Sequence, residues 1–520
     1  MNNLTVQVYS SGTTPIADTA DDLHRIENIR LSTGYPGGLY LNASMFVPRD
    51  IARFWLIKGA QRLVIRNGLT TVFEGKIGDL NRALQSTAEG IKIEAVGYWG
   101  SYLGSRRLRK RWADNRIDWA TWVYDETTSG AEVCRVDRSN RLRFTPKSEA
   151  WTDDWEANLI YTMPTGETIK RVQFDYDMQE AGQAWELGLY DPVNVTGLWS
   201  VSASGTGSED LTLGTSANNV FFYFKAKAGQ TPTSDGTYYG EITDIVVSSE
   251  TGAIDLTQIA TDIVGEFTDL SSDTFEIDSN TLSLVPFIAD GFPTAADILM
   301  DAASYGDASQ NQWAVGLYAS ELSTDDKPLL FVEQYPVLTD YDYVVRMDED
   351  NVSPAVEISR DWNTLYNWIV VQYRDEQGFT QYVTPDDDAN LKSADSITDW
   401  GQRDHLLRIR HGDVTAATNF GRRFLSKHLG GQWHVPKPIK IKGSIRAKSG
   451  SRIPASEIRA GKRIKIENFL EDLSGTGLTL LITKTSYDDN KEVCSIITGR
   501  PDSLDVILAQ QQLEFERTRG

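Results

Sequence analysis

Apolar and polar residues alternate along much of the chain, most densely near its two ends. Between Phe54 and Leu103, Leu63-Val64-Ile65-Arg66 runs into Asn67-Gly68 and out through Leu69 to Glu74. Asn-Gly tolerates two positive φ angles in succession, which a two-residue type I′ turn requires, so this stretch predicts a β-hairpin. A loop is expected after Gly75-Lys76-Ile77-Gly78, then a strand from Ile91 to Tyr98. The pattern returns between Ile458 and Arg500. There Gly461 to Ile466 alternates, Leu478 to Thr485 reads as a buried strand, and Tyr487-Asp488-Asp489-Asn490 turns it into Val493 to Thr498. Short period-two runs punctuated by turn residues predict small, strongly curved β-barrels, one at each end.

The middle of the chain has a different texture. Val172 to Tyr176, Trp185 to Tyr190, Val220 to Lys225 and Tyr239 to Ser248 read as strands separated by Gly, Ser, Thr and Asp, the pattern of a jelly-roll sandwich. Helical spacing follows: Leu256, Ile259, Ala260, Ile263 and Phe267 share one face. Thr294 and Asp297 form a capping-box pattern after Pro293, with Gly306 placed as the left-handed cap. A further amphipathic helix spans Thr415 to Leu429, with Arg422, Arg423, Lys427 and His428 toward the C-terminus that favours cations. At 520 residues the chain exceeds what one core can organise. The expected fold class is mainly β, a multidomain β protein with a small α+β part. Its expected divisions are a β-barrel over 1–105, a linker over 106–134, a sandwich over 135–252, an acidic α+β unit over 253–342, a second β-barrel with its helix over 343–505, and a C-terminal helix and tail over 506–520.

Charge adds a second pattern. The net charge is -22, yet Ala228 to Asp326 holds no Lys or Arg against eighteen acids, whereas Arg403 to Lys465 holds sixteen Lys and Arg against three acids. Segregation on this scale favours complementary surfaces between subunits, or a lumen lined by one sign, over ordinary solvated faces. Arg106 to Arg111 carries five cations in six residues. Neighbouring acids and Trp112 favour a structural or interfacial role over nucleic-acid binding. Two cysteines provide no disulfide framework. Met1 to Val8 reads as a strand rather than a signal peptide, and no apolar run reaches membrane-spanning length, so synthesis in the cytoplasm is expected.

Candidate chemistry is sparse. His405 and His411, and His428 and His434, are each six apart, but no Cys partner or His-Glu helix motif accompanies them, so no metal ligand is assigned. No nucleophile elbow, phosphate loop or dinucleotide fingerprint is present, and no carboxylate pair stands out; no catalytic residue or cofactor is assigned. In the sandwich, Trp185, Tyr190 and Trp199 are the candidates for stacking on sugar rings, against the alternative that they are core.

The order of certain segments resembles the baseplate-hub and tail-tip proteins of tailed bacteriophages. The matching segments are Val72 to Ile77 with Ala95 to Tyr98, the helix after Pro293 and its following strands, Leu365 to Tyr373 with Gln377-Gly378, Ser396 through Gly401, the helix containing Ala416, and Ala460 to Ile464 with the closing strands. The resemblance covers about 1–110 and 255–505. The block at 135–250 resembles a carbohydrate-binding module, notably in Tyr239 to Val247, and reads as an insertion. The resemblance implies a structural virion protein of the tail, assembled in the host cytoplasm. It implies a homotrimer of pseudo-sixfold symmetry, with a tail-tube or distal-tail ring, other tail-tip or fibre proteins and a host glycan as partners, and with DNA passing transiently through the lumen. The alternative is a secreted or cell-surface carbohydrate-active enzyme or lectin built from β-domains.

Overall fold

The computed structural model describes residues 4–499 except 11–13, 19–25, 49–56, 85–88, 116–121, 127–133, 138–140, 145–155, 180–184, 192–195, 215–216, 227–238, 347–351, 353–355, 362–364, 375–378, 410–412, 430–431 and 468–477. The expected C-terminal helix lies outside these residues. The protein is mainly β, with several sheets and few helices.

The two alternating ends of the chain form one sheet. Strand Glu27–Gly34 pairs antiparallel with Leu478–Asp488 in the register Leu31↔Tyr487, Thr33↔Thr485, and this seam joins the N-terminal strands to the C-terminal ones in a continuous fourteen-stranded sheet. One hydrophobic core lies behind both halves, from Val6, Phe73 and Ile93 to Val345, Ile464 and Ile496. The two threonine hydroxyls buried at the seam are satisfied by each other and by neighbouring backbone groups. The Thr33 and Thr485 hydroxyls are 2.6 Å apart, the Ala460 N–H donates to Thr33 Oγ1 at 3.0 Å, and the Thr485 hydroxyl donates to the Ile458 carbonyl at 3.5 Å. With Thr485 donating to Ile458, the Thr33 hydroxyl must donate to Thr485. The buried Arg459 guanidinium donates to the Thr71 and Val72 carbonyls, adding a second tie between the ends.

The N-terminal hairpin differs from expectation by one residue. Strands Arg62–Asn67 and Thr70–Leu84 pair with Asn67 opposite Thr70, so Gly68 and Leu69, not Asn67 and Gly68, form the turn. A register shift between Ile65 and Arg66 absorbs the slip, and Gly68 at φ 59° supplies the left-handed first position of a glycine-first turn. Nor does a loop follow Gly78: the strand continues to Leu84 along Glu89–Gly97, with an irregularity between Ile77 and Asp79.

A second core gathers the helices. Helix α1 (Leu256–Glu266) and helix α2 (Ala295–Ser304) pack with strands Trp313–Tyr318 and Leu329–Gln334. Thr294 and Asp297 make both bonds of the expected capping box, and Gly306 (φ 74°) follows the helix end. Helix α3 (Ala394–Trp400) is short, and helix α4 (Val414–His428) lies on a three-stranded sheet of Trp368–Arg374, Thr380–Val383 and Asp404–Arg408. The segment 343–505 thus divides between cores: residues 369–425 pack with the α+β unit, while Tyr343, Val345 and the strands after Val435 join the barrel core. Two of the four basic residues expected toward the C-terminus of α4, Arg423 and His428, are buried. Arg423 donates to the Ser304 carbonyl at the C-terminus of α2, where positive charge is favoured, and His428 bonds the Phe424 carbonyl at 2.7 Å.

The third core is a sandwich. Five strands from Trp122–Glu126 to Asn219–Ala226 face a sheet containing Arg141–Phe144, Arg171–Gln179, Gly205–Thr212 and Tyr239–Ser248. Phe144 stacks on Phe224, and Phe174 meets Phe222 edge-on, across the interface. Strand Lys110–Asp114, inside the expected linker, pairs on one side with Tyr239–Ser248 and on the other with Phe287–Ala289 of the α+β unit. The basic run is used here structurally: Arg107 donates to the Phe292 carbonyl at 2.9 Å, Arg111 lies 3.4 Å from Asp290, and Arg106 bonds the Glu266 carbonyl.

Removing one hydroxyl from the seam strands a buried donor. Thr33→Val is expected to cost about 1–3 kcal/mol in urea unfolding, through the orphaned Ala460 N–H, while Thr33→Ser costs less. Equal, negligible effects of both substitutions would show that the network contributes nothing.

Candidate functional site

The sandwich's five-stranded sheet has an outer face built from alternate residues of its strands. Asn219–Ala226 is aromatic at four consecutive positions, so a period of two cannot bury all of them. Phe222 and Phe224 enter the core, and Phe221 and Tyr223 face outward, half-buried. In the neighbouring strand Trp185–Asp191, Tyr190 pairs with Phe221, their rings 4.8 Å apart, and Gly188 pairs with Tyr223. A Cβ at Gly188 would sit 2.3–2.5 Å from the Tyr223 ring, so only glycine lets that ring lie across the strand. The Tyr223 hydroxyl donates to Glu186 Oε1, which fixes the ring from its far end. The result is a row of aromatic surface, Tyr190, Phe221 and Tyr223, edged by a carboxylate. Such a row offers flat apolar faces beside polar anchors, which suits ligands with one apolar face and a hydroxylated rim.

The three sequence candidates do not form one site. Trp185 opens its strand opposite Ala226, and its side chain lies outside the described residues. Tyr190 belongs to the outer row. Trp199 pairs with the fully buried Leu189 and therefore points to the core side, edge-on to Phe174 and tilted against Tyr176, both at 4.9 Å. Phe221 and Tyr223 were missed, although aromatics at both parities of one strand already imply an aromatic outer face.

The histidines meet differently from their sequence pairing. His405 stacks between Tyr366 and Phe424, and Phe424 stacks on His428 at 3.9 Å. Burial, then the neighbouring His428, lowers the His405 pKa. His411 and the His434 side chain lie outside the described residues, among which no group of three or more metal-ligating side chains occurs. A cleft of about 340 Å³ between the barrel and the acidic unit is lined by Tyr9, Arg62, Lys76, Asp269 and Lys327, but Arg62 is held by Glu74 at 2.8 Å and Lys76 lies over the Tyr102 ring.

A titratable joint lies where the sandwich meets the α+β unit. The Lys110 side chain, 7% exposed, contacts Asp262 of α1 and lies 3.9 Å from both Glu167 and Glu250 of the sandwich. Gln258 donates to Glu250 at 3.1 Å and the Trp112 indole donates to Asp262 at 3.0 Å. One ammonium therefore faces three carboxyls. Burial raises Glu167 to about 7, with Lys110 opposing and Asp262 and Glu266 assisting. Burial, then the hydrogen bond and charge of Asp262, raises Glu250 to about 8.

No protein-family model matches the chain, and no curated protein matches it. Among solved structures, the 43 kDa tail protein of prophage MuSo2 from Shewanella oneidensis aligns over 97% of this chain and 98% of its own, at 11% identity and a TM-score of 0.42. A tail protein from Neisseria meningitidis MC58 covers 95% of each chain at 6% identity and a TM-score of 0.44. TmCBM61 in complex with β-1,4-galactotriose covers 25% of this chain and 90% of its own, at 10% identity and a TM-score of 0.18.

Because both carboxyls bind protons more tightly in the folded chain than at their ordinary value of 4.5, the stability they confer is complete below that value, falls progressively as pH rises above it, and is lost once pH has passed about 7 for Glu167 and about 8 for Glu250. Glu250→Gln, which keeps the protonated form's shape, should raise the melting temperature at pH 8.5 and leave it nearly unchanged at pH 5. An equal shift at both pH values would contradict this assignment.

Proposed function

We propose that this chain is a structural protein of a bacteriophage tail, a tail-tip or baseplate hub that closes and adapts the distal end of the tail tube. The observation that carries this reading is the sheet built from both ends of the chain. Its two halves share one core, leaving a rigid platform from which the sandwich hangs as an insertion held by the Lys110–Asp114 strand. Such a plan suits a load-bearing ring component, and the ordered resemblance of segments 1–110 and 255–505 supports the same assignment. In this reading three copies assemble with pseudo-sixfold symmetry against a tail-tube or distal-tail ring, and carry other tail-tip or fibre proteins. DNA passes through the lumen only transiently, and carboxylates lining part of it reduce phosphate adhesion. No helix among the described residues is long and apolar enough to cross a membrane.

The aromatic outer face favours a second role, attachment to a glycan on the host surface. Sugar C–H faces would stack on Tyr190, Phe221 and Tyr223, with Glu186 accepting hydroxyls at the edge. A free-standing lectin would use the same face, so the two readings separate on assembly rather than on binding.

Native mass spectrometry of the full chain, alone and mixed with its tail-tube protein, is expected to give trimers that join the tube ring; a chain that stays monomeric with the tube protein, or builds a true hexamer, contradicts the hub reading. On a glycan array, Phe221→Ala or Tyr223→Ala in the full chain should abolish binding while the chain stays folded, with a smaller loss of stability than a core ring gives. Trp199→Ala should instead cost about 3 kcal/mol of stability, as expected for a ring packed against the core. Absence of any glycan signal from the unmodified protein would leave the face without this role.

A further inference from the structure

Among the described residues, the three-stranded sheet beneath α4 is covered on one side only. Ile369, Val371, Val383 and Leu407 point toward α4 and are buried. The register places Trp368, Val370, Leu406 and Tyr382 on the opposite face, where Leu406 is 44% and Tyr382 53% exposed. Arg374 and Arg408 share this outer face with Asp404, and Lys392 sits over the Trp368 ring, so its surround is net positive.

A second patch has the opposite sign. Two loops of the acidic unit are tied together by Thr324, which donates through its N–H and hydroxyl to Asp273, and by Lys327, which donates to the Thr268 carbonyl. From these loops project Phe275, 59% exposed, and Leu322, 54% exposed. The same loops carry Asp269, Asp278, Glu321, Asp325 and Asp326, all exposed, with Lys327 paired to Asp325 as the one nearby cation on them. Each patch has an apolar centre and a charged rim, and the rims are complementary. Between the patches the chain packs the sheet, α4, α2 and strands Trp313–Tyr318 and Leu329–Gln334, so one copy cannot bring its own patches together.

We propose that the outer face of the Trp368–Arg374 sheet docks on the Phe275–Leu322 patch of a second copy of this chain, a heterologous contact that propagates around a ring. It rests on the self-assembly put forward above and names the surfaces that carry it. Apolar centres would supply most of the affinity, and the opposed rims would set orientation and make the association salt-sensitive. Because the two surfaces differ, each copy offers one of each, which is the requirement for a closed ring.

The test uses the full chain in sedimentation velocity over a range of concentrations, with Leu406→Glu and Leu322→Lys as singly blocked variants at exposed positions. The unmodified chain should self-associate, and each variant should do so at least about tenfold more weakly. Mixing the two should yield a 1:1 dimer that grows no further, since only the sheet face of Leu322→Lys and the acidic patch of Leu406→Glu remain intact. Tyr382→Ser with Phe275→Ser provides an independent pair, and melting curves confirm that all four are folded. Three results overturn the proposal. A monomeric unmodified chain at every concentration removes self-assembly altogether. Variants that associate like the unmodified chain place the contact elsewhere while self-assembly stands. Absence of the capped dimer on mixing shows that the patches do not meet each other.

Discussion

The structure depends on one antiparallel seam between residues more than four hundred positions apart. Leu31, Thr33 and their neighbours hydrogen-bond to Tyr487, Thr485 and theirs, and the hydroxyl relay from Ala460 through Thr33 and Thr485 to Ile458 leaves its buried polar groups satisfied. Closing so long a loop costs chain entropy, but that cost grows only slowly with length and is met here by a core shared across the seam. Everything between the two ends is therefore an excursion from one platform, anchored at both of its exits.

Those excursions are fastened by sheets and charges rather than left on linkers. Strand Lys110–Asp114 belongs at once to the sandwich sheet and to a pairing with the α+β unit, with fully buried Trp112 packed edge-on against Phe287 behind it. The platform is held to the α+β unit by buried Glu74, which accepts from the Ser320 N–H and hydroxyl and pairs with Arg62, and by Tyr35, which donates to Glu333. The sandwich thus sits in a defined place, which a surface-binding role on a large assembly requires.

Local features were legible in the sequence where local physics decides them. The capping box at Thr294, the helix face of Leu256 and Ile259, and the alternation in Trp185–Asp191 all follow from residue spacing alone. What escaped was set by partners distant in sequence. Arg423 and His428 look like end-of-helix cations until α2 and the aromatic stack bury them. That the two ends share one sheet and one core could not be read, because nothing local announces that Thr33 faces Thr485. Likewise the sequence leaves Trp199 open between sugar platform and core until its register with Leu189 turns it inward, while Phe221 and Tyr223 escaped notice inside a more apolar run. The hairpin slip at Asn67 had a local cause of another kind, an irregularity in the ladder that composition does not signal.

Native-state hydrogen exchange tests the seam most directly. If the two ends form one cooperative unit, the hydrogen-bonded amides of Glu27–Gly34 and Leu478–Asp488 should exchange through the same opening, with equal protection that falls together as denaturant is added. Thr33→Val should lower both sets equally. Protection that separates into two levels, one for each end of the chain, would contradict the account and show that the two ends unfold independently.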